Sequence, residues 1–193
     1  NDHGTVANYY TINNDKIDPQ FKSDDDLLSN YREAALYCDC DSAIEEIVNE
    51  AINTDGGEEI VKLNLDNAKL SNSIKKQIND EFTNCLNLLN FNVEGTDIFR
   101  QWYVDGKIYY NAIVDENNPK LGIQELRFID PRKIKKIKTI KKEIDPTTRI
   151  EIQKLVKEFY AFNDCGINSG TGQTIELSPD SIVYVPSGIT NPS

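Results

Sequence analysis

The sequence predicts an α+β domain in which helices come first and a mainly antiparallel β-sheet region follows. Up to Asp105-Gly106 the apolar residues recur at helical spacing, and from Lys107 onward the period changes to two. Parallel strands need a crossover connection, usually a helix, and no crossover helix is visible after Gly106. We therefore expect the later strands to be antiparallel and the domain to be α+β rather than alternating α/β.

Length and charge limit the class of protein. A chain of 193 residues with 38% apolar residues suits one folded domain. Residues 1–60 hold 15 acidic and 3 basic side chains, and the other residues hold 17 and 18. Such an acidic front disfavours non-specific wrapping of nucleic acid. No apolar run is long enough for a bilayer span. The absence of Met favours an internal segment of a longer chain.

The helical part is expected to follow a polar segment. Residues 1–24 are rich in Asn and Asp and predict a mobile acidic arm, with one α+β domain over 25–193. The predicted helices are Leu27–Tyr37, Asp41–Asn53, Ser71–Asn90 and a shorter helix after Val93-Glu94-Gly95 that ends near Asp105-Gly106. Ser42 and Glu45 fit a capping box at the start of the second helix. Asp55-Gly56-Gly57 supplies the turn that ends it.

Alternating apolar and polar residues predict the strands. One strand, Glu59–Leu65, is expected between the helices. The later strands are Lys107–Val114, Ile123–Ile129, Leu155–Phe162 and Ile182–Val185, with Asn117-Asn118-Pro119 as the turn of the first hairpin.

Catalytic chemistry has little support in the sequence. The chain has a single histidine, His3, in the predicted arm, so neither a Ser-His-Asp nor a Cys-His arrangement can be assembled. The acidic residues are abundant, yet no pair lies in an apolar setting that would separate two pKa values. We expect no enzyme, no cofactor and no metal site.

The four cysteines are interpreted as reduced thiols rather than a disulfide framework, because no secretory signal is visible. Cys38-Asp39-Cys40 could bind a soft metal or react, but a tetrahedral site needs four ligands and the other cysteines lack a matching spacing. The favoured interpretation is a connector between two helices. Cys85 lies on the apolar stripe of the long helix and is expected to be buried and inert.

Two further motifs favour structure over ligand binding. The segment Gly166–Gly172 looks like a phosphate cradle, but it lacks the Lys-Ser/Thr pair and a strand should follow it, so a hairpin loop is expected. An aromatic cluster could stack nucleotide bases, but its spacing is more typical of a core. It consists of Phe99, Trp102, Tyr103, Tyr109 and Tyr110.

The segment 132–142 carries the one nucleic-acid-like signature, with seven positive charges in eleven residues. Isoleucines three apart allow a helix, and β-branched residues after Pro131 allow a strand equally well. Three roles stay open: a solvated edge strand protected by lysines, contact with the acidic first third of this or a neighbouring subunit, and contact with DNA phosphate. The residues concerned are Arg132, Lys133, Lys135, Lys136, Lys138, Lys141 and Lys142.

Separated blocks give the chain a family resemblance. They are YREAA at Tyr31–Ala35 leading into DSAIEEIVNEAI at Asp41–Ile52, FRQWYVDGKIYY at Phe99–Tyr110, ELRFIDPRKI at Glu125–Ile134, and DSIVYVPSG at Asp180–Gly188. In order and spacing the chain resembles portal proteins of T-even-like contractile-tailed phages, including phages of marine cyanobacteria. It departs at Cys38-Asp39-Cys40, where the family usually shows a proline-bearing connector.

The resemblance implies a wing-region segment of a subunit that forms a ring, expected to be a dodecamer, at one capsid vertex. The stem helix, clip and tunnel loop of that subunit are not expected within this chain. The implied partners are other copies of itself, the major capsid protein, the terminase packaging motor, neck and tail proteins, and the double-stranded DNA passing through the ring. The implied location is the virion, with assembly in the host cytoplasm. The alternative is a nucleic-acid-binding module using the basic segment 132–142.

Overall fold

The computed structural model describes residues 19–52, 60–144 and 151–188, without the side chains of 19–24, 140–144 and 151–155. Within these ranges four α-helices come first, followed by six strands. The helices are α1 Pro19–Ala34, α2 Cys38–Ala51, α3 Asn72–Leu88 and α4 Phe91–Asp105. The strands are β1 Lys107–Val114, β2 Ile123–Ile129, β3 Ile134–Ile144, β4 Glu151–Asn163, β5 Thr174–Leu177 and β6 Ile182–Pro186.

The strands form two antiparallel sheets of three strands each. The first sheet has the order β2-β1-β6, and the second has the order β3-β4-β5. In the second sheet β3 pairs with β4 from Ile134↔Phe162 to Ile144↔Glu151, whereas β5 covers β4 only from Tyr160 to Asn163. The far part of β3 and β4 is therefore a two-stranded ribbon among the described strands.

The core lies where the two sheets meet. Tyr109 and Ile129 from the first sheet pack with Ile134 and Tyr160 from the second, and Ile182 completes the cluster. The ring of Tyr109 stacks on Tyr184 and meets the edge of Tyr160. Such aromatic contacts add to the free energy gained from burying apolar area.

The helices pack beside the first sheet through α4, which leads directly into β1. Gly106 joins them with φ +68, a left-handed conformation that glycine adopts without strain. Its N–H donates to the carbonyl of Trp102, and its carbonyl accepts from the N–H of Ser187. This one residue therefore ends α4 and holds the end of β6 beside it.

The fold class is confirmed, since helices precede antiparallel sheets. The bounds of β1 and β2 are those expected from the sequence, and the hairpin turn between them lies at 115–122. The predicted helix Ser71–Asn90 is confirmed as α3, with Ser71 accepting the N–H of Ile74 as its N-cap. Within segment 132–142 the residues from Ile134 onward form a strand rather than a helix, and β3 lies at a sheet edge.

Several predicted boundaries are wrong. The helix predicted over Leu27–Tyr37 begins at Pro19 and ends at Ala34, so residues 19–24 of the expected arm are helical. The helix predicted after Val93-Glu94-Gly95 already begins at Phe91. Residues 60–65 are not a strand, whereas the strand expected after Gly166–Gly172 is present as β5. His3, Asp55-Gly56-Gly57 and Glu59 lie outside the described residues.

The capping box predicted at Ser42 and Glu45 is also wrong. The helix α2 begins at Cys38, and Tyr37 occupies the N-cap position without a side-chain hydrogen bond. Cys38-Asp39-Cys40 is thus the first turn of α2 rather than the connector between helices. In place of a capping side chain, the carboxylates of Asp39 and Asp41 in that turn interact favourably with the positive end of the helix dipole.

The core predicts a sharp difference between two apolar truncations. Ile134 is 4% exposed, so Ile134→Ala should lower the free energy of unfolding by roughly 2–5 kcal/mol. Leu121 is 58% exposed, so the control Leu121→Ala should change it by less than about 0.5 kcal/mol. Urea denaturation followed by circular dichroism measures both variants. Similar losses for the two would show that the sheet interface is not the core.

Candidate functional site

The best-defined polar site is an ion-pair cluster built around Arg32. The Nε and Nη2 atoms of Arg32 donate to the two carboxylate oxygens of Asp105, at 2.8 and 2.6 Å. Its Nη1 atom donates to Oδ2 of Asp130 at 2.9 Å. One guanidinium thus makes a two-pronged contact with one carboxylate and a further contact with a second, a geometry that suits the planar arginine head group.

Three separate parts of the chain bring these groups together. Arg32 lies in the last turn of α1, Asp105 is the last residue of α4, and Asp130 follows β2. Asp130 also accepts from the backbone N–H and the guanidinium of Arg132, at 2.9 Å each. Asp130 therefore fixes the turn into β3 while it pairs with the helix, and the cluster joins the helices to both sheets.

Burial makes the pairing of Asp105 necessary. The side chain of Asp105 is 1% exposed, while those of Asp130 and Arg32 are 19% and 28% exposed. A carboxylate removed from water costs several kcal/mol unless a cation and hydrogen bonds compensate it. Arg32 supplies both, and the hydrogen bonds to Asp105 raise the pKa of its guanidinium further above the ordinary value.

The two arginines also change the titration of Asp130. Burial by itself would raise the pKa of this carboxyl group, but hydrogen bonds from Arg132 and Arg32 outweigh burial. The net result is a pKa well below the ordinary value of 3.8. Asp130 is therefore charged at neutral pH and keeps its contacts with both arginines there.

The basic segment lies next to this cluster, and most of its described cations are paired within the chain. Arg132 contacts Asp130, and Lys133 contacts Asp164 at 2.8 Å. Lys136 contacts Glu158 and lies over the ring of Tyr160, and Lys138 lies 3.9 Å from the same carboxylate.

Three lysines of the segment remain. Lys135 also takes part in an interaction. Lys141 and Lys142 are on β3, but their side chains are outside the described set. The cations of residues 132–138 are therefore largely neutralised by carboxylates of the same chain. For residues 140–142 the structure gives only the course of the backbone.

A large open groove lies between the helices and the end of β6, and it was not predicted from the sequence. It has a volume of about 1110 Å³ and is lined mainly by apolar side chains of α1, α2 and α4. The indole Nε1 of Trp102 is buried there with no hydrogen-bond partner in the described part of the chain. The apolar stripes of the helices could have indicated a shared groove. A stripe does not predict the angle at which two helices pack, however, so the groove itself could not be predicted.

The cysteines do not assemble a site in the described residues. All four thiols are free and exposed. The expectation that Cys85 is buried is wrong, because α3 turns this part of its apolar stripe towards solvent. No three His, Cys, Asp or Glu side chains gather as a metal would require, within the described ranges.

The glycine-rich segment forms the loop between β4 and β5, as predicted. The amide of buried Asn163 donates to the carbonyl of Thr171 at 2.9 Å and accepts from the N–H of Cys165 at 3.0 Å. Gly172 adopts φ +85, and a Cβ there would lie 2.6 Å from Oδ1 of Asn163. Asn163 thus shapes the loop from inside, and a strand follows it.

The aromatic cluster is divided between core and groove. Tyr109 is buried in the core, as expected. Phe99, Trp102 and Tyr103 line the groove instead, and Tyr103 is 43% exposed, so the core interpretation is wrong for Tyr103. Tyr110 meets the edge of Phe128 on the first sheet.

These features define an α+β protein whose best-defined polar site, the Arg32 cluster, joins the helices to both sheets. No described helix is both long and apolar enough to cross a bilayer. Residues 24–193 match the model of the family described as bacteriophage T4-like portal protein (Gp20). The chain belongs to the T4-like portal protein family.

Two relatives carry the same name. The portal protein of Vibrio phage KVP40 is 37% identical over 173 residues, which cover 85% of this chain and 33% of the relative. The portal protein of Salmonella phage ViI is 27% identical over 191 residues, which cover 92% of this chain and 34% of the relative. The chain thus spans about a third of the length of these relatives.

Removal of the central arginine should be costly. Arg32→Ala leaves the buried carboxylate of Asp105 without its partner, so the free energy of unfolding should fall by roughly 3–5 kcal/mol. The matched control is Arg127→Ala, because the side chains of Arg127 and its partner Glu125 are 62% and 50% exposed. That loss should be under about 1 kcal/mol. Equal losses in chemical denaturation would contradict a structural role for the cluster.

The cluster also predicts acid sensitivity. Because the pKa of Asp130 is lowered on folding, its contribution is fully present above the ordinary value of 3.8 and is lost as pH falls towards the folded pKa. The contribution should be on the order of 1 kcal/mol or more, since one pKa unit corresponds to about 1.4 kcal/mol. Asp130→Asn should be less stable at neutral pH and lose less stability on acidification. Parallel pH profiles for the two proteins would contradict this.

Proposed function

We propose that this chain is a wing-region segment of the structural subunit of a phage portal ring at the unique capsid vertex. The observation that carries the proposal is the family match over residues 24–193, nearly the whole chain. In this role the subunit serves as a conduit for DNA and as a docking platform for the packaging motor and for the neck and tail. The protein acts by shape and contact rather than by catalysis.

The described charges support a mechanical role. Arg32, Asp105, Asp130 and Arg132 pair with one another and join three parts of the fold. A two-pronged contact between arginine and carboxylate fixes the relative orientation of the elements that carry the two groups. The cluster is suited to keeping the helices and the sheets of the wing in one fixed arrangement.

The proposed partners follow from the portal role. They are other copies of the chain in a ring, expected to be dodecameric, the major capsid protein, the terminase motor, neck and tail proteins, and double-stranded DNA. The proposed location is the virion, with assembly in the host cytoplasm, and phages of cyanobacteria are the expected source type. No cofactor is needed, because the role requires no chemical step.

Direct DNA binding by the basic segment 132–142 is the weaker alternative. DNA affinity depends on cations that are free to displace counterions from phosphate. Arg132, Lys133 and Lys136 instead contact carboxylates of their own chain. A DNA role would therefore depend on the later part of β3, which carries Lys141 and Lys142.

The proposal predicts ring assembly that depends on the Arg32 cluster. The portal protein that carries this chain should form closed rings in negative-stain electron micrographs and should be found in purified virions by mass spectrometry. Arg32→Ala should reduce the yield of rings several-fold, since the wing would lose its fixed geometry. Arg127→Ala should leave the yield unchanged. A protein that stays monomeric and is absent from virions would overturn the proposal.

A further inference from the structure

We propose that the start of α3 of one copy docks in the groove between α1, α2 and α4 of a neighbouring copy. This inference rests on the proposed ring and names two surfaces that would join its subunits. The groove is apolar and has an acidic border on α2, whereas the start of α3 is basic and exposes apolar side chains. A contact between two different surfaces of the same chain is head-to-tail and can close into a ring.

The groove offers apolar contact to such a partner. Its walls include Tyr31, Tyr103 and Tyr184, which are 46%, 43% and 44% exposed. Ile47 of α2 lines it as well and is 38% exposed. Exposed apolar and aromatic side chains gathered in one groove are typical of interaction surfaces.

The border of the groove on α2 is acidic. This helix carries five carboxylates and no lysine or arginine. Asp39, Glu46 and Glu50, which we name the acidic rim, lie seven and four residues apart, so they share one face of the helix, beside Ile47. All three are exposed, and none makes an ion pair within the described part of the chain. Glu50 also lies in the last turn, where the negative end of the helix dipole disfavours a carboxylate.

The start of α3 has the opposite charge. Between Asp66 and Asp80 the chain holds no carboxylate and three lysines, which are Lys69, Lys75 and Lys76. None of the three lysines makes an ion pair with a described residue. The first turn of α3 contains no acidic residue, so the positive end of the helix dipole adds to the charge of the lysines. Carboxylates of another molecule would relieve this repulsion, and the acidic rim supplies them.

The start of α3 also exposes apolar side chains. Leu70 lies just before the N-cap and Ile74 lies in the first turn, and they are 41% and 44% exposed. The helix packs on α4 and β2, yet none of its residues is buried. A helix that combines exposed apolar residues with lysines is suited to an apolar groove with an acidic border.

The two surfaces do not meet within one molecule. None of the described residues that line the groove belongs to α3 or to residues 60–71, which precede it. The acidic rim and the three lysines also form no ion pair with one another in the part of the chain that the structure describes. Because both surfaces stay exposed in the single molecule, the contact that pairs their charges is one between copies.

Cross-linking tests where α3 docks. In the assembled portal protein, Ile74→Cys should form a disulfide with Cys40 of another copy under mild oxidation, because Cys40 is exposed and lines the groove. Electrophoresis without reductant should show a ladder of linked subunits, and Cys40→Ser should remove it. The matched control is Ile175→Cys, because Ile175 is 42% exposed where Ile74 is 44% exposed. An equal yield of the Cys40 cross-link from the control, measured by mass spectrometry of unreduced peptides, would contradict the inference.

Charge reversal tests which interaction stabilises the contact. Lys69→Glu with Lys76→Glu, and separately Glu46→Lys with Glu50→Lys, should each weaken self-association by roughly tenfold, and more at low salt than at high salt. Mixing the two reversed proteins should restore association between them, which a folding defect could not do. Reversal of an exposed lysine between β1 and β2, Lys120→Glu, should leave association unchanged. Sedimentation velocity measures the species, and a lack of restoration on mixing would overturn the inference.

The outcomes separate this inference from its alternatives. If the lysines bind DNA instead, their reversal alone should reduce the affinity for a short duplex, and reversal of the acidic rim should leave assembly unchanged. If the groove holds a different protein, rings should form normally with either reversal, and this docking site is wrong. If rings form but Ile74→Cys links to a site other than the groove, the portal role stands and the docking site is again wrong. If no rings form with the unaltered protein, the portal role itself is wrong.

Discussion

The arrangement of the described chain depends on one buried ion pair, between Arg32 and Asp105. The carboxylate has almost no contact with water, so the guanidinium is needed to offset the free-energy cost of burying it. That guanidinium also reaches Asp130, which shapes the turn before β3. One side chain thereby fixes the end of α1 against the end of α4 and sets where the second sheet begins. Apolar packing alone would leave these angles less defined.

The strands were easier to predict than the helix ends, for a physical reason. Period-two alternation and turn residues bound β1 and β2 locally, and the structure agrees with their predicted limits. The starts of α2 and α4 carry no capping side chain, since Tyr37 and Asn90 occupy the N-cap positions without such a bond. Ser42 has a hydroxyl group suited to capping, but it lies inside α2, four residues after the helix begins. Helix starts fixed by tertiary packing leave no local signal.

The ion-pair cluster could not be predicted because its members are far apart in sequence. Arg32 lies 73 residues from Asp105 and 98 residues from Asp130. In the sequence each resembles an ordinary surface charge in an acidic chain. Yet all four members, Arg132 included, fall within the blocks that carry the family resemblance. The blocks are recognisable as a pattern, and the structure supplies a physical reason why those positions belong together.

Charge is balanced within the chain around the start of β3 and is unbalanced on α2. Around the sheets, Arg132, Lys133 and Lys136 each have a carboxylate of the same chain. The helix α2 carries five carboxylates and no lysine or arginine of its own. Like charges gathered on one helix repel one another, and this repulsion costs free energy. In the assembly that we propose, a basic surface of another molecule in contact with α2 would offset that cost.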